Sequence, residues 1–225
     1  MEKTPSSSKA KVVLFTLLGL AMTPAAHADL FKLSATGTVE FGGNATIPNG
    51  TPWAFEVTYD TAAPDLAPAD TTFGQFANSS VPPALTAFHY LAGTYEVSLN
   101  SPSDFDAASA IHITFTSIHA IDINIFASAL FPPLNGGGVS FHADFNDFSS
   151  VPIFVSDALP TNTALGAGNF DGNTVNLNLQ APTTSVLGGT TVASLTVTAV
   201  PEPAMATLVL VGVLMPLLAG RAARE

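Results

Sequence analysis

The middle of the chain, residues 29–199, predicts an all-β domain: an antiparallel β-sandwich, jelly-roll-like in type. Three observations predict it. Apolar and polar residues alternate with period two in short runs, Gly, Pro, Asn and Asp punctuate those runs, and no central stretch sustains a helical period. Period two sends successive side chains to opposite faces, so each run reads as a strand with one face on a core.

Taken in order, a first strand is expected near Phe31–Phe41. Trp53, Phe55, Val57 and Tyr59 then share one parity against Glu56 and Thr58, and further strands are expected near Ala84–Leu91 and Tyr95–Leu99. Ile111, Ile113 and Phe115 alternate with His112 and Thr114, and Ile121, Ile123 and Ile125 with Asp122 and Asn124. Val139, Phe141 and Phe145 repeat the pattern around His142 and Asp144. Val175, Leu177 and Leu179 alternate with Asn176 and Asn178, and Leu195 and Val197 with Thr196 and Thr198. About nine or ten strands result, enough for two packed sheets.

Turns are expected where conformationally permissive residues separate the runs: Phe41-Gly42-Gly43-Asn44, Asn135-Gly136-Gly137-Gly138, Asp171-Gly172-Asn173 and Leu187-Gly188-Gly189. Asp60 to Asp70, rich in Ala and Pro, reads as an extended surface loop.

The chain has 225 residues, of which 47% are hydrophobic and 10% charged, which suits one domain with a substantial core and is too apolar for disorder. Between Lys11 and Arg221 the only basic residue is Lys32, while acidic residues recur from Asp29 to Asp171. Such an anionic domain cannot neutralise phosphates, so nucleic acid and anionic lipid headgroups are poor partners for it, whereas cations and neutral sugars stay open. There is no cysteine, which removes disulfides, thiolate metal sites and Cys nucleophiles together.

The N-terminus reads as an export address over residues 1–28. Lys3, Lys9 and Lys11 precede the apolar run Val12 to Ala21, and Ala26 and Ala28 place small residues where a signal peptidase reads them. Cleavage is expected after Ala28. The apolar run is too short to span roughly 30 Å of hydrocarbon, so it is not a permanent anchor.

The C-terminus, residues 200–225, has a different layout. Ala204 to Gly220 carries no charge and is nearly all aliphatic, and Arg221 and Arg224 follow it. As a helix this run, about 204–220, covers roughly 25 Å, enough for a marginal transmembrane helix. The arginines favour leaving the tip in the cytoplasm and act as a membrane stop. Just before the run stands Val200-Pro201-Glu202-Pro203. The combination of this motif, an apolar helix and a basic tip resembles the PEP-CTERM sorting signal. The resemblance covers the tail alone, and the tip departs from a plain basic one by closing on Glu225.

That resemblance implies export from a Gram-negative bacterium, transient anchoring in the inner membrane, and processing by an exosortase-type membrane enzyme that reads Pro201, Glu202 and Pro203. It further implies a cell-surface or extracellular destination in a host that makes exopolysaccharide, itself a candidate partner. Two prolines flanking a glutamate deny this segment regular structure and keep it accessible.

Candidate chemistry in the middle is sparse. Once His27 leaves with the leader, His89, His112, His119 and His142 remain, at no metal-binding spacing within one element, with His112 and His142 on polar faces. Asp104-x-Asp106, Asp144-x-Asn146-Asp147 and Asp171-x-Asn173 gather oxygen ligands in expected loops, yet each lacks the further ligands of a calcium loop, and turn-forming roles explain them. Trp53 shares the parity of Phe55 and is expected in the core. No Gly-x-Ser-x-Gly or comparable catalytic motif is present. The expected function is a non-enzymatic surface or extracellular-matrix protein without cofactor or metal. The alternatives are a carbohydrate- or calcium-dependent adhesion module and a glycan hydrolase.

Overall fold

A computed structural model describes residues 30–43, 47–115, 118–127, 138–149, 153–154, 156–180, 185–189 and 192–201. They form β1 (Leu30–Thr38), β2 (Pro52–Asp60), β3 (Phe73–Ala77), β4 (Leu85–Ala92), β5 (Tyr95–Leu99), β6 (Ala110–Phe115), β7 (His119–Ala127), β8 (Gly138–Asp147), β9 (Gly172–Gln180), β10 (Ser185–Gly189) and β11 (Val192–Ala199). A five-stranded sheet has the order β11-β1-β2-β4-β5 and a six-stranded sheet the order β10-β9-β8-β7-β6-β3. Every pairing is antiparallel. Among the described residues there is no α-helix, and no helix long and apolar enough to cross a membrane.

The alternation read from the sequence is the alternation of burial. Trp53, Phe55, Val57 and Tyr59 face inward from β2 and Ile121, Ile123 and Ile125 from β7, while Glu56, Asp122 and Asn124 stay partly exposed. The two inner faces meet through aromatic rings. Phe141 of β8 lies 4.8 Å from Phe55 and 4.8 Å from Phe88, centroid to centroid, and 5.9 Å from Tyr90. One continuous core therefore draws on both sheets. In β4 the register shifts opposite Thr58 and Tyr59, and this bulge lets both Leu85 and Phe88 face inward although they differ in parity.

Two expectations need correction here. The jelly-roll order does not form: β6 to β10 follow one another within a single sheet, as chain neighbours prefer to pair, and β11 returns to close the other sheet beside β1. Leu187-Gly188-Gly189 is not a turn but part of β10, where backbone pairing with β9 overrides glycine's weak strand preference. Asp60–Asp70 is a surface loop, as expected, but it is tied down by hydrogen bonds. Its Asp65 carboxylate accepts the amides of Ala67 and Gln75 at 2.8 Å each, and Leu66 N–H donates to Gln75 O at 2.8 Å. The loop thereby covers the outer edge of β3, a strand the sequence reading did not anticipate.

The connection from β8 to β9 is also packed. Phe154, Leu159, Leu165 and Phe170 are buried, Tyr59 donates its hydroxyl to Pro160 O at 2.5 Å, and Gly166 bridges Thr196 of β11. Burial pushes the Tyr59 phenol up.

Candidate functional site at the paired chain ends

The described residues that border the expected leader and tail segments meet at one place. β1 and β11 pair in register from Phe31 opposite Ala199 onward, and Val200 N–H donates to Leu30 O at 2.8 Å. Pro201 follows, exposed to solvent. It has no N–H, so it cannot extend the ladder. The start of the domain and the start of the Pro-Glu-Pro motif thus leave the five-stranded sheet side by side, at the end that also carries Asp60 of β2. Ala26, Ala28, Glu202, Pro203, Arg221 and Arg224, with the leader 1–28 and the apolar run 204–220, lie outside the described residues.

At the opposite end of the same sheet lies a shallow groove of ≈ 540 Å³, bordered by Thr36, Thr38, Pro52, Trp53, Leu91 and Gly93 and lined by no charged residue. Trp53 offers it only an edge, being 4% exposed and stacked on Phe55 at 6.1 Å. The tryptophan is a core residue, as its parity predicted.

On the outer face of the six-stranded sheet the structure assembles a cluster that sequence spacing concealed. His112, Asp122 and Asp144 stand in register across β6, β7 and β8. The Asp122 carboxylate lies 3.7 Å from His112 Nδ1 and 3.1 Å from His142 Nε2, and Asn124 also donates to it at 2.8 Å. Burial acts to raise the Asp122 pKa, but hydrogen bonds and charge from the two imidazoles outweigh it and hold the carboxyl well below the usual range. The bond to Asp122 in turn raises the pKa of His142, against a smaller opposing effect of burial.

This is a carboxylate between two imidazoles, not an ion cage. β6 and β8 flank β7, and strand spacing sets them roughly 10 Å apart, so the histidines approach Asp122 from opposite sides. Among the described residues no group of three or more His, Cys, Asp or Glu side chains is placed to hold a metal ion. The clue in the sequence was register. Three alternating strands that follow each other as a meander must align some polar positions.

The remaining histidines differ from each other. His89 is partly exposed and pairs with Glu96 at 3.0 Å. His119 faces the core at 6% exposure, opposite Asp147 at 1%, with Nδ1 and Oδ2 3.7 Å apart and neither atom hydrogen-bonded.

Of the oxygen-rich segments, the first shapes a turn through Asp104, whereas Asn146 and Asp147 lie in β8 and Asn173 in β9. Asp104 accepts the amides of Asn100 and Ser101 at 2.9 and 3.0 Å, capping the turn Pro102–Asp104. Asp60 accepts Ala62 N–H, Asp70 accepts Thr72 N–H and its hydroxyl, and Asp147 accepts Ser149 N–H. Those hydrogen bonds lower the pKa values of Asp70 and Asp147. Asp144-x-Asn146-Asp147 is not in a loop as expected. It lies within β8, where strand parity turns Asp147 to the core and Asp144 outward, because pairing with β7 and β9 continues to the strand's end.

No family model, curated protein or solved structure matches the chain.

Proposed function

We propose that this chain is an exported, non-enzymatic surface or extracellular-matrix protein, cleaved after Ala28 and sorted through Pro201-Glu202-Pro203 by a membrane processing enzyme. The single observation that carries the structural side of this reading is the Val200–Leu30 hydrogen bond. It sets Leu30 and Val200, the described residues nearest the two expected processing points, side by side at one end of the five-stranded sheet. Packing supports a structural role for the middle: aromatic rings fill the core, and the Asp104 carboxylate caps a turn.

Replacing Pro201, Glu202 and Pro203 together by Ala tests the reading. C-terminal processing in the native host is expected to stop, and the full-length chain to accumulate in the membrane. Normal maturation of that variant would remove the sorting assignment.

A further inference from the structure

We propose that His119 and Asp147 form an acid-closed clasp at one end of the six-stranded sheet: imidazolium and carboxylate hold the ends of β6, β7 and β8 together, and loss of the imidazolium proton loosens them. Their position makes them a fastening. His119 is the first residue of β7, Asp147 the last of β8 and Phe115 the last of β6, and the three stand in one cross-strand row. No rung of the β6–β7 or β7–β8 ladder lies beyond that row.

Burial gives the pair its leverage. His119 is 6% and Asp147 1% exposed, and the Phe115 ring lies 5.3 Å from the imidazole. The Ser149 hydroxyl and its amide, the latter 2.8 Å from Oδ1, hold the Asp147 carboxyl below the usual range, so it stays ionised. Oδ2 is enclosed, has no donor, and faces His119 Nδ1 across 3.7 Å. A buried carboxylate is costly unless a cation accompanies it. Between Lys11 and Arg221 the only Lys or Arg is Lys32, which pairs with Glu56 at 2.9 Å on the other sheet, and the other three histidines pair with Glu96 or Asp122. His119 is the counter-ion within reach.

A neutral imidazole can still donate one N–H, but it leaves the Asp147 charge enclosed without a counter-charge. The imidazolium supplies both the donor and the charge. Its contribution is therefore complete on the acid side and is lost as pH rises. Among the described residues, Phe115 faces the ring from β6 and Asp147 from β8, and no other carboxylate, from either sheet, makes ion-pair contact with it. Asp171, just before β9, bonds through its N–H to Asn146 O and is exposed. The His112–Asp122–His142 cluster sits on the opposite face of the same strands, where solvent weakens each pair.

Backbone amide exchange in the full chain, corrected for its intrinsic pH dependence, tests the clasp. From about pH 5 to pH 8, protection at Ala120 and Asn146 relative to Val57 of β2 is expected to fall several-fold. Asp147→Asn keeps the shape and removes the charge, and the fall is expected to vanish. Asp122→Asn unpairs the outer-face histidines and is expected to leave the fall in place. A pH-independent ratio in the wild-type chain, an undiminished fall in Asp147→Asn, or its loss in Asp122→Asn overturns the clasp. If Asp147→Asn does not fold, the imidazole nitrogen NMR resonances of the wild-type chain decide. At about pH 5 both His119 nitrogens are expected to carry protons, with the one on Nδ1 slow to exchange, and a singly protonated ring there overturns the proposal.

Discussion

Val200 donates its backbone N–H to the carbonyl of Leu30 at 2.8 Å, the last rung of a ladder joining the first strand of the domain to the final one. Sheet closure therefore waits for β11. A chain cut short before Val192 would leave β1 an exposed edge and Leu33 and Ala35 without the cover of Leu195 and Val197. Deleting residues from Val192 onward is expected to yield aggregated protein. Deletion from Pro201 onward should leave a folded domain with an unchanged melting temperature, which a thermal melt of the two truncations checks.

Phe141 is the ring on which the two sheets meet. Phe141→Ala is expected to cost about 3–5 kcal/mol of unfolding free energy, because it removes the contacts to Phe55, Phe88 and Tyr90 and leaves a cavity. Phe141→Leu should cost less than half of that. Denaturant midpoints measure both, and equal costs would contradict a ring-specific role.

Asp122 should give stability a pH signature. A lowered carboxyl pKa contributes stability that is present above the ordinary value of 3.8 and is lost as pH falls through the depressed one. The raised pKa of His142 contributes stability that is present below 6.5 and is lost as pH rises through the raised one. Between those values both contributions are complete. Asp122→Asn should lower stability most near pH 5 and least near pH 8, by no more than about 1 kcal/mol since the pair is partly exposed. Parallel pH profiles for wild type and variant would rule out the pairing.

Asp65 holds the loop over the edge of β3. Asp65→Ala removes acceptors for two backbone amides and is expected to cost about 1–3 kcal/mol. Hydrogen exchange at Gln75 should accelerate while that at Ile121 in the core slows or speeds only with global stability.

Gly74 of β3 leaves room for a backbone to pass: a Cβ there would run into the carbonyl of Asp157. Gly74→Ala is expected to destabilise by about 1–3 kcal/mol through forced displacement of that segment. A denaturation midpoint matching wild type would show that the segment yields freely.

Much of the sandwich was legible because a strand buried on one face writes its own parity. Trp53 to Tyr59 and Ile121 to Ile125 needed no further information. What stayed illegible depends on residues distant in the chain. β3 is glycine-containing and brief, and it is a strand because β6 and the Asp65 loop pair with it. The wall formed by Phe154, Leu159, Pro160 and Phe170 has no period, so only contacts such as Tyr59 with Pro160 and Phe145 with Phe170 reveal it. The His112–Asp122–His142 cluster required the register of three strands. Conversely, the Pro-Glu-Pro motif was visible at once in sequence, and the fold added what sequence could not: Val200, the residue before it, is hydrogen-bonded to Leu30.

The proposed double processing is tested by the intact mass of the protein recovered from the surface or extracellular fraction of its host. The mass is expected to lack the residues through Ala28 and the tail from about Pro201 onward. A mass that retains Glu225 would contradict sorting and make the tail a plain anchor.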